Sequence, residues 1–301
     1  MADSDTFESI YFYDPSLPAS ILFTVLYAFP AAFLLYTTVI GPRTGKYRYA
    51  KFFIPAVIGA WVEVAGYIVR CLSIEDPTSI PLYAVSSSLV VIAPVLVCAS
   101  LYMLIGRLIR AGIPVEGKQQ RILGISPRWL PRAFVTSDIV SLMTQAGGSG
   151  IAASNNWEGT EKETGTNVLI AGLALQLVTV SLFLSIVWKF HTKAKRIGGG
   201  ISKGVRQVLI GLYIAGFFIE VRCIYRLIEF ALGIDGYPFR AEWFLYVLEA
   251  CPMLFALAVL GYYHPGKWLP DETLVSAEPK QERARRSRRS RRSRQYDAEA
   301  N

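Results

Sequence analysis

The sequence predicts an all-α integral membrane protein, a bundle of seven transmembrane helices with its N-terminus outside and its C-terminus in the cytosol. Three observations carry this. The 301 residues are 52% hydrophobic and only 18% charged, with a mean hydropathy of +0.36, whereas soluble domains carry about a quarter of their residues charged. The apolar residues come in seven blocks, each long enough to cross roughly 30 Å of hydrocarbon at about 1.5 Å per residue. The formal charge of +8 is lopsided: of 31 lysines and arginines, 26 fall in segments sharing one side of the membrane, two on the other and three within helices. This composition excludes disordered, collagen-like and disulfide-scaffold classes.

The N-terminal stretch, residues 1–18, carries Asp3, Asp5, Glu8 and Asp14 without a lysine or arginine. That is the reverse of a cleaved signal peptide, so the first apolar run is expected to stay as a membrane helix. The spans are expected at 19–40, 52–72, 81–106, 133–153, 168–190, 207–232 and 243–263, making residues 19–266 one membrane domain. Lysine and arginine in short loops are retained in the cytosol. The loop after the first span has Arg43, Lys46, Arg48 and Lys51, and the loop after the third has Arg107, Arg110, Lys118, Arg121, Arg128 and Arg132. After the fifth come Lys189, Lys193, Lys195, Arg196, Lys203 and Arg206. These segments fix the cytosolic face.

Tyr11, Tyr13, Trp157, Tyr237, Trp243, Tyr262, Tyr263 and Trp268 sit near the expected interfaces, as amphipathic rings do. Pro30, Pro55, Pro94 and Pro252 fall inside spans, where a packing kink is the simplest reading of each. Cys71, Cys98, Cys223 and Cys251 all lie in apolar runs, without the spacing of a disulfide framework or a zinc site. Residues 267–301 form a low-complexity tail whose run from Arg283 to Arg294 should be disordered and drawn to anionic lipid of the inner leaflet. Ser287, Ser290 and Ser293 within it are places where phosphorylation would release it.

Charged residues inside a span cost at least ~2.5 to 3.5 kcal/mol, so those present face the bundle interior and have partners. Eight qualify: Glu63, Arg70, Asp138, Glu220, Arg222, Arg226, Glu229 and Glu249. Glu63 and Arg70 are seven apart and share a helix face; Arg222, Arg226 and Glu229 repeat at four and three; Glu242, Tyr246 and Glu249 do the same. Asp138 and Gln145 share a face of the fourth helix with Ser141, before Gly147, Gly148 and Gly150, and Gln176 lies in the fifth. The residues leave three readings open. The stripes lock helices together, or line a polar cavity open to the outer leaflet that holds an amine or phosphate headgroup, or relay protons. The two glutamines are expected to bond a neighbouring helix.

The ordered set YDPS, EVAGYIVR, IAPVLVCASLYMLIGRLI, SDIVSLMTQAGGSG, GLALQ, VRCIYRLIEFALGIDG, EWFLYVLEACPM and HPG resembles the fungal lipid-translocating exporter family. That RTA-like family is named for resistance to aminocholesterol and includes a sphingoid long-chain-base exporter and a protoporphyrin-uptake protein. The resemblance covers about residues 11 to 266 and leaves out the arginine-rich tail. It implies a multi-pass protein of the plasma membrane, or of vacuolar or endoplasmic membrane, that exports, translocates or confers tolerance to amphipathic lipids. By position, it implies a substrate-binding set of Glu63, Arg70, Asp138, Gln145, Gln176, Arg222, Arg226, Glu229, Glu242 and Tyr246. Glu249 stands where the family usually has an aspartate, which keeps the charge and extends its reach by one methylene.

No GxxxxGK[ST] run cradles a nucleotide, so transport without an ATPase of its own is expected. Neither an enzyme nor a cofactor is indicated. His191 and His264 stand at helix ends without clustered metal ligands, and His264 in HPG reads as a helix-ending residue. The seventh span has no lysine for a retinal Schiff base. The alternative is a seven-helix receptor or stress sensor for lipid-like ligands, although no DRY-like triplet or NPxxY is present. The expected partners are an amphipathic lipid and anionic inner-leaflet lipids, with no nucleic acid; self-association into a homo-oligomer stays open.

Overall fold

The computed structural model describes residues 11, 13–112, 129–153, 159–196, 202–233 and 236–269. Asp3, Asp5, Glu8, Glu116, Lys118, Arg121, Arg128, Trp157 and the arginine-rich run with its three serines lie outside the described residues. Among the described residues all regular structure is helical. Helix α1 (Leu17–Leu35) widens into a π turn (Tyr36–Ile40), and α2 (Ile54–Glu75) follows a 3-10 turn. Then come α3 (Ile80–Gly112), α4 (Leu130–Ala153), α5 (Gly159–Arg196) and α6 (Lys203–Ala231). The short α7 (Tyr237–Arg240) and α8 (Glu242–Phe244) lead through a π turn (Leu245–Ala250) into α9 (Cys251–Tyr262), and α10 (Pro265–Trp268) closes the described chain.

Among the described residues, six helical stretches are long and apolar enough to cross a membrane: Leu17–Ile40, Lys51–Glu75, Ile80–Ile109, Lys162–Arg196, Lys203–Ala231 and Glu242–Trp268. The segment expected as the fourth span is helix α4, which is not among these six: its Asp138, Gln145, serines, threonines and glycines dilute its apolar content.

Local chemistry sets the boundaries. The Ser16 hydroxyl accepts the Ala19 N–H at 3.4 Å to start α1, and the Ser202 hydroxyl accepts the Val205 N–H at 3.3 Å to start α6. Pro55 occupies the first turn of α2, where a missing N–H costs no helical bond, so the expectation of a mid-span kink there is corrected. Pro30 and Pro94 lie inside α1 and α3, and Pro252 follows directly on the helical π turn within the stretch Glu242–Trp268.

The helices pack in chain order, α1 on α2, α2 on α3, α3 on α4, α4 on α5 and α5 on α6, while α9 packs on both α6 and α1 and closes the bundle. Leu22, Phe29, Trp61, Ile68, Val178, Trp188, Phe217 and Phe255 point outward from five of these helices, the apolar exterior that lipid requires. Tyr237, Trp243 and Tyr262 are exposed at the helix ends.

The two ends differ. At the His264 end, the buried ring of His264 accepts the Gly266 N–H on Nδ1 at 3.1 Å and caps α10. A neutral ring then carries its proton on Nε2, 3.0 Å from the Thr38 hydroxyl. Arg48 of the first basic loop donates its backbone N–H to the Gly266 carbonyl at 3.0 Å and its guanidinium to the Leu269 carbonyl at 2.8 Å. At the opposite Glu242 end, residues 11 and 13–16 lie against α1, α2 and α8.

Candidate functional site

The centre of the bundle holds a cluster of charge supplied by α2, α6 and the π turn before α9. On α6 the spacing of four and three places Arg222, Arg226 and Glu229 on one inward face. Arg222 Nη2 donates to Glu249 Oε1 at 2.8 Å and to the Val90 carbonyl at 2.9 Å. Arg226 Nη1 lies 2.9 Å from Glu229 Oε2 and 3.6 Å from Glu249 Oε2, with its guanidinium 4.8 Å from the Phe230 ring centre. Tyr225 donates its hydroxyl to Glu229 Oε1 at 3.0 Å.

The Val90 carbonyl has a specific origin. Position 94 is proline, which has no N–H to give to the carbonyl four residues earlier, and that carbonyl is Val90. The kink expected at Pro94 thus has a chemical consequence: it frees an acceptor that Arg222 uses.

Glu63 completes the cluster. Arg222 and Glu249 are the charged groups acting on it. It is 0% exposed, and neither carboxylate oxygen has a hydrogen-bond partner. The nearby Tyr27 hydroxyl is committed to the Ala250 carbonyl at 2.6 Å, so its single proton is not available to Glu63.

A second network stands at the Glu242 end. Arg70 Nη2 donates to Glu242 Oε1 at 3.1 Å and to the Tyr13 hydroxyl at 2.9 Å. Glu242 also accepts the Tyr246 hydroxyl at 3.1 Å and the Ser16 N–H at 2.8 Å. Tyr246 bonds Ser20 at 2.8 Å, and Tyr11 donates to Ser73 at 2.8 Å. Burial pushes the Tyr13 phenol above its ordinary value, partly opposed by Arg70, so it meets Arg70 as a neutral acceptor. Tyr11 and Tyr13 were expected as interface anchors; they are instead ligands of the α2 end, which corrects that reading. Between the two networks lies an aromatic layer in which Phe23 stacks on Tyr246 at 4.9 Å and on Tyr67 at 6.0 Å, and Tyr27 stacks on Tyr67 at 5.2 Å.

The third group is neutral apart from Asp138. Gln145 Nε2 donates to Gln176 Oε1 and to the Ser141 hydroxyl, both at 3.0 Å, and Ser141 donates to the Gly172 carbonyl. This is the cross-helix bonding expected of the glutamines. Asp138 is 1% exposed beside Tyr102 and Cys98, yet its Oδ1 and the Tyr102 hydroxyl both lack a hydrogen-bond partner. Glu220 accepts the Ser181 hydroxyl on another face of α6.

Of the eleven residues the sequence points to, Glu63, Arg222, Arg226, Glu229 and Glu249 come together at the centre, and Arg70, Glu242 and Tyr246 at one end. Gln145 and Gln176 form a pair that shares a cavity of about 10 Å³ with Arg222 and Arg226, room for about one water. Asp138 stands apart from the ion pairs. A larger cavity of about 310 Å³, between α5, α6 and α7, is lined by Lys162, Glu163, Asn167, Phe230 and Phe239 among others. Sequence reasoning did not assign Tyr13, Ser16, Ser20, Tyr27 or Tyr225 to these networks. The signals available were Tyr225, beside Arg226 and four before Glu229, and the motif YDPS, which contains Tyr13 and Ser16.

Residues 56–272 match the family described as RTA1 like protein, a span that contains all eleven residues. The chain belongs to this family. Among its Saccharomyces cerevisiae relatives, RTM1 is 35% identical over 210 residues, 69% of this chain and 65% of RTM1. RTA1 is 30% identical over 276 residues, 85% of this chain and 84% of RTA1. The sphingoid long-chain base transporter RSB1 is 29% identical over 250 residues, 71% of this chain and 64% of RSB1. The match thus spans just under two thirds of the length of RTM1 and RSB1. No solved structure matches. RSB1 is named as a transporter rather than an enzyme, and the multiple apolar helices of this RTA1-like chain make it an integral membrane protein.

Proposed function

We propose that this RTA1-like protein moves amphipathic lipids with a cationic head, such as sphingoid long-chain bases, between membrane leaflets, and thereby confers tolerance to them and to toxic sterol analogues. The observation that carries the proposal is the charge imbalance of the central cluster. Glu63, Glu229 and Glu249 face only Arg222 and Arg226. An ammonium head placed beside Glu63 supplies the missing positive charge, while the alkyl chain stays in lipid through a separation of the helices. Of the three acidic residues, Glu63 is the one with room for this role, because Glu229 and Glu249 already hold arginines.

In this reading α4 also crosses the membrane, as the fourth of seven spans, the Glu242 end faces outward and the basic segments are cytosolic, in the plasma membrane of a fungus. The arginine-rich tail then lies beside the anionic inner leaflet. The packed centre corresponds to a closed state, since the space beside Arg222 and Arg226 is about 10 Å³. The test is a reconstituted-liposome assay with a fluorescent sphingoid base and an uncharged lipid control. Protein-dependent transfer of the base alone, lost in Glu63→Gln at unchanged incorporation, supports the proposal. Saturable binding without transfer replaces it with the receptor reading.

A further inference from the structure

We infer that the central cluster exchanges one proton for one amphipathic cation, and that Glu63 carries the proton in the conformation described. The inference rests on the lipid-amine reading above and adds to it a coupling ion, hence a source of energy for a chain without a nucleotide site.

The charges of the cluster do not balance where bulk water does not reach Glu63. Three carboxylates meet two guanidiniums. Arg222 is committed to Glu249 and to the carbonyl freed by Pro94, and Arg226 to Glu229 and Glu249. Glu229 receives Tyr225 as well. Glu63 has zero exposure and two bare oxygens. Every group facing it leaves it so. From α1 comes Tyr27, whose proton is given to Ala250. From α2 itself comes Tyr67, whose hydroxyl is buried without a partner. From α6 comes Arg222 and from the π turn Glu249, bonded to each other through the arginine's Nη2; the Arg222 Nε–H is buried without a partner and makes no hydrogen bond to Glu63. Helix α3 packs on α2 through the apolar Val90, Ala93 and Val97, and its polar contacts with α2 go to backbone, Ser86 donating to the Gly66 carbonyl and Ser100 accepting the Ala56 N–H. An ionised carboxylate that receives no hydrogen bond, and whose nearest guanidinium is already bonded to another carboxylate, does not persist in such surroundings.

The cluster is neutral with one proton on Glu63, and it is neutral again with Glu63 ionised beside one ammonium. Loading therefore breaks the Glu63 O–H bond, sends the proton to water and places R–NH3+ against the carboxylate; unloading reverses each step. A proton gradient across the bilayer then drives the amine in the direction opposite to the proton.

The proton is read without any ligand by infrared difference spectroscopy of the full-length protein in lipid nanodiscs. A protonated-carboxyl C=O band is expected in wild type. Subtracting Glu63→Gln identifies it and separates it from any signal of the buried Asp138. The band should also vanish in Glu249→Gln although Glu63 is intact, because Arg222 is then free to pair with Glu63 and the count balances. Monodispersity on size exclusion shows that each variant is folded. Phytosphingosine should bleach the band, and ceramide should leave it. Absence of a Glu63-dependent band in wild type overturns the inference, as does a band that phytosphingosine binding leaves intact. Sphingoid-base transfer in liposomes with either of those results retains transport and removes the proton from it, so the two proposals fail separately.

Discussion

Helices α4 and α5 are held together by backbone and neutral amides, whereas α2, α6 and the π turn before α9 are held together by charge. In the first region a Cβ on Gly148 would stand 2.6 Å from both the Gly165 carbonyl oxygen and the Leu169 nitrogen, so the two backbones are in contact. In the second, buried guanidiniums bridge helices over side-chain lengths. The difference teaches that one bundle contains both means of membrane association. Small residues permit close approach with one fit, while charged residues have alternative partners and can exchange them. Glu249, within reach of both Arg222 and Arg226, is such a residue; nothing comparable exists between Gly148 and Gly165. The rigid pair forms a wall beside a centre built to repartner.

The largest effect is expected from breaking the charged side. Arg222→Met leaves three carboxylates facing one guanidinium and orphans the Val90 carbonyl. Loss of one partner from a buried pair costs about 3 to 5 kcal/mol. Thermal unfolding in detergent should show a marked drop in midpoint; a midpoint within a degree of wild type would mean that the cluster is hydrated and that the charge count is irrelevant.

That expectation also shows what the sequence could and could not display. Glu63, Arg70, Arg222, Arg226, Glu229 and Glu249 were legible because ionised groups in apolar runs are too costly to be incidental. Their partners were not. Glu63 and Arg70 share a helix face, yet seven residues span about 10 Å along the axis, so one joins the central cluster and the other meets Glu242 at the end. Helical spacing gives a face, whereas partner choice depends on the register between helices. Tyr27 was hidden for another reason: an aromatic in an apolar run reads as packing until its hydroxyl is located. Pro94 was visible as a proline that bends its helix and frees a carbonyl, but its partner was not, because the arginine that takes that carbonyl is 128 positions away. α4 was legible as a helix from its length, while the partners of its polar residues were not: Ser141 and Gln145 turn toward α5, whereas Asp138 lies beside Tyr102 and Cys98 of α3.

The glycine contact should respond less than the ion pair and for a steric reason. Gly148→Val drives a side chain into the backbone of α5, where no rotamer can move aside, and overpacking of this kind costs about 1 to 3 kcal/mol. Gly147→Val is the internal control, because a Cβ there has nothing within 4 Å. The pair of variants should differ in unfolding midpoint, Gly148→Val lower and Gly147→Val near wild type. Equal midpoints would place the α4–α5 separation wider than the backbone contact described here.

The smallest effect is expected where α4 and α5 do share a polar bond. Gln176→Leu alone removes the acceptor of Gln145 Nε2, but Ser141 at 3.0 Å still accepts, so the stranded amide is only half deprived. Replacing both glutamines by leucine removes donor and acceptor together and should be close to neutral, since the penalty lies in leaving one partner unsatisfied. A double-mutant cycle over Gln145 and Gln176, read by unfolding in detergent, should return a coupling of about 0.6 kcal/mol, the size found for hydrogen bonds between membrane helices. A coupling several times larger would mean that this bond, rather than the glycine contact beside it, holds α5 against α4. The pair would then be an element that opens by breaking a side-chain bond, and the division between a rigid wall and an exchangeable centre would no longer hold.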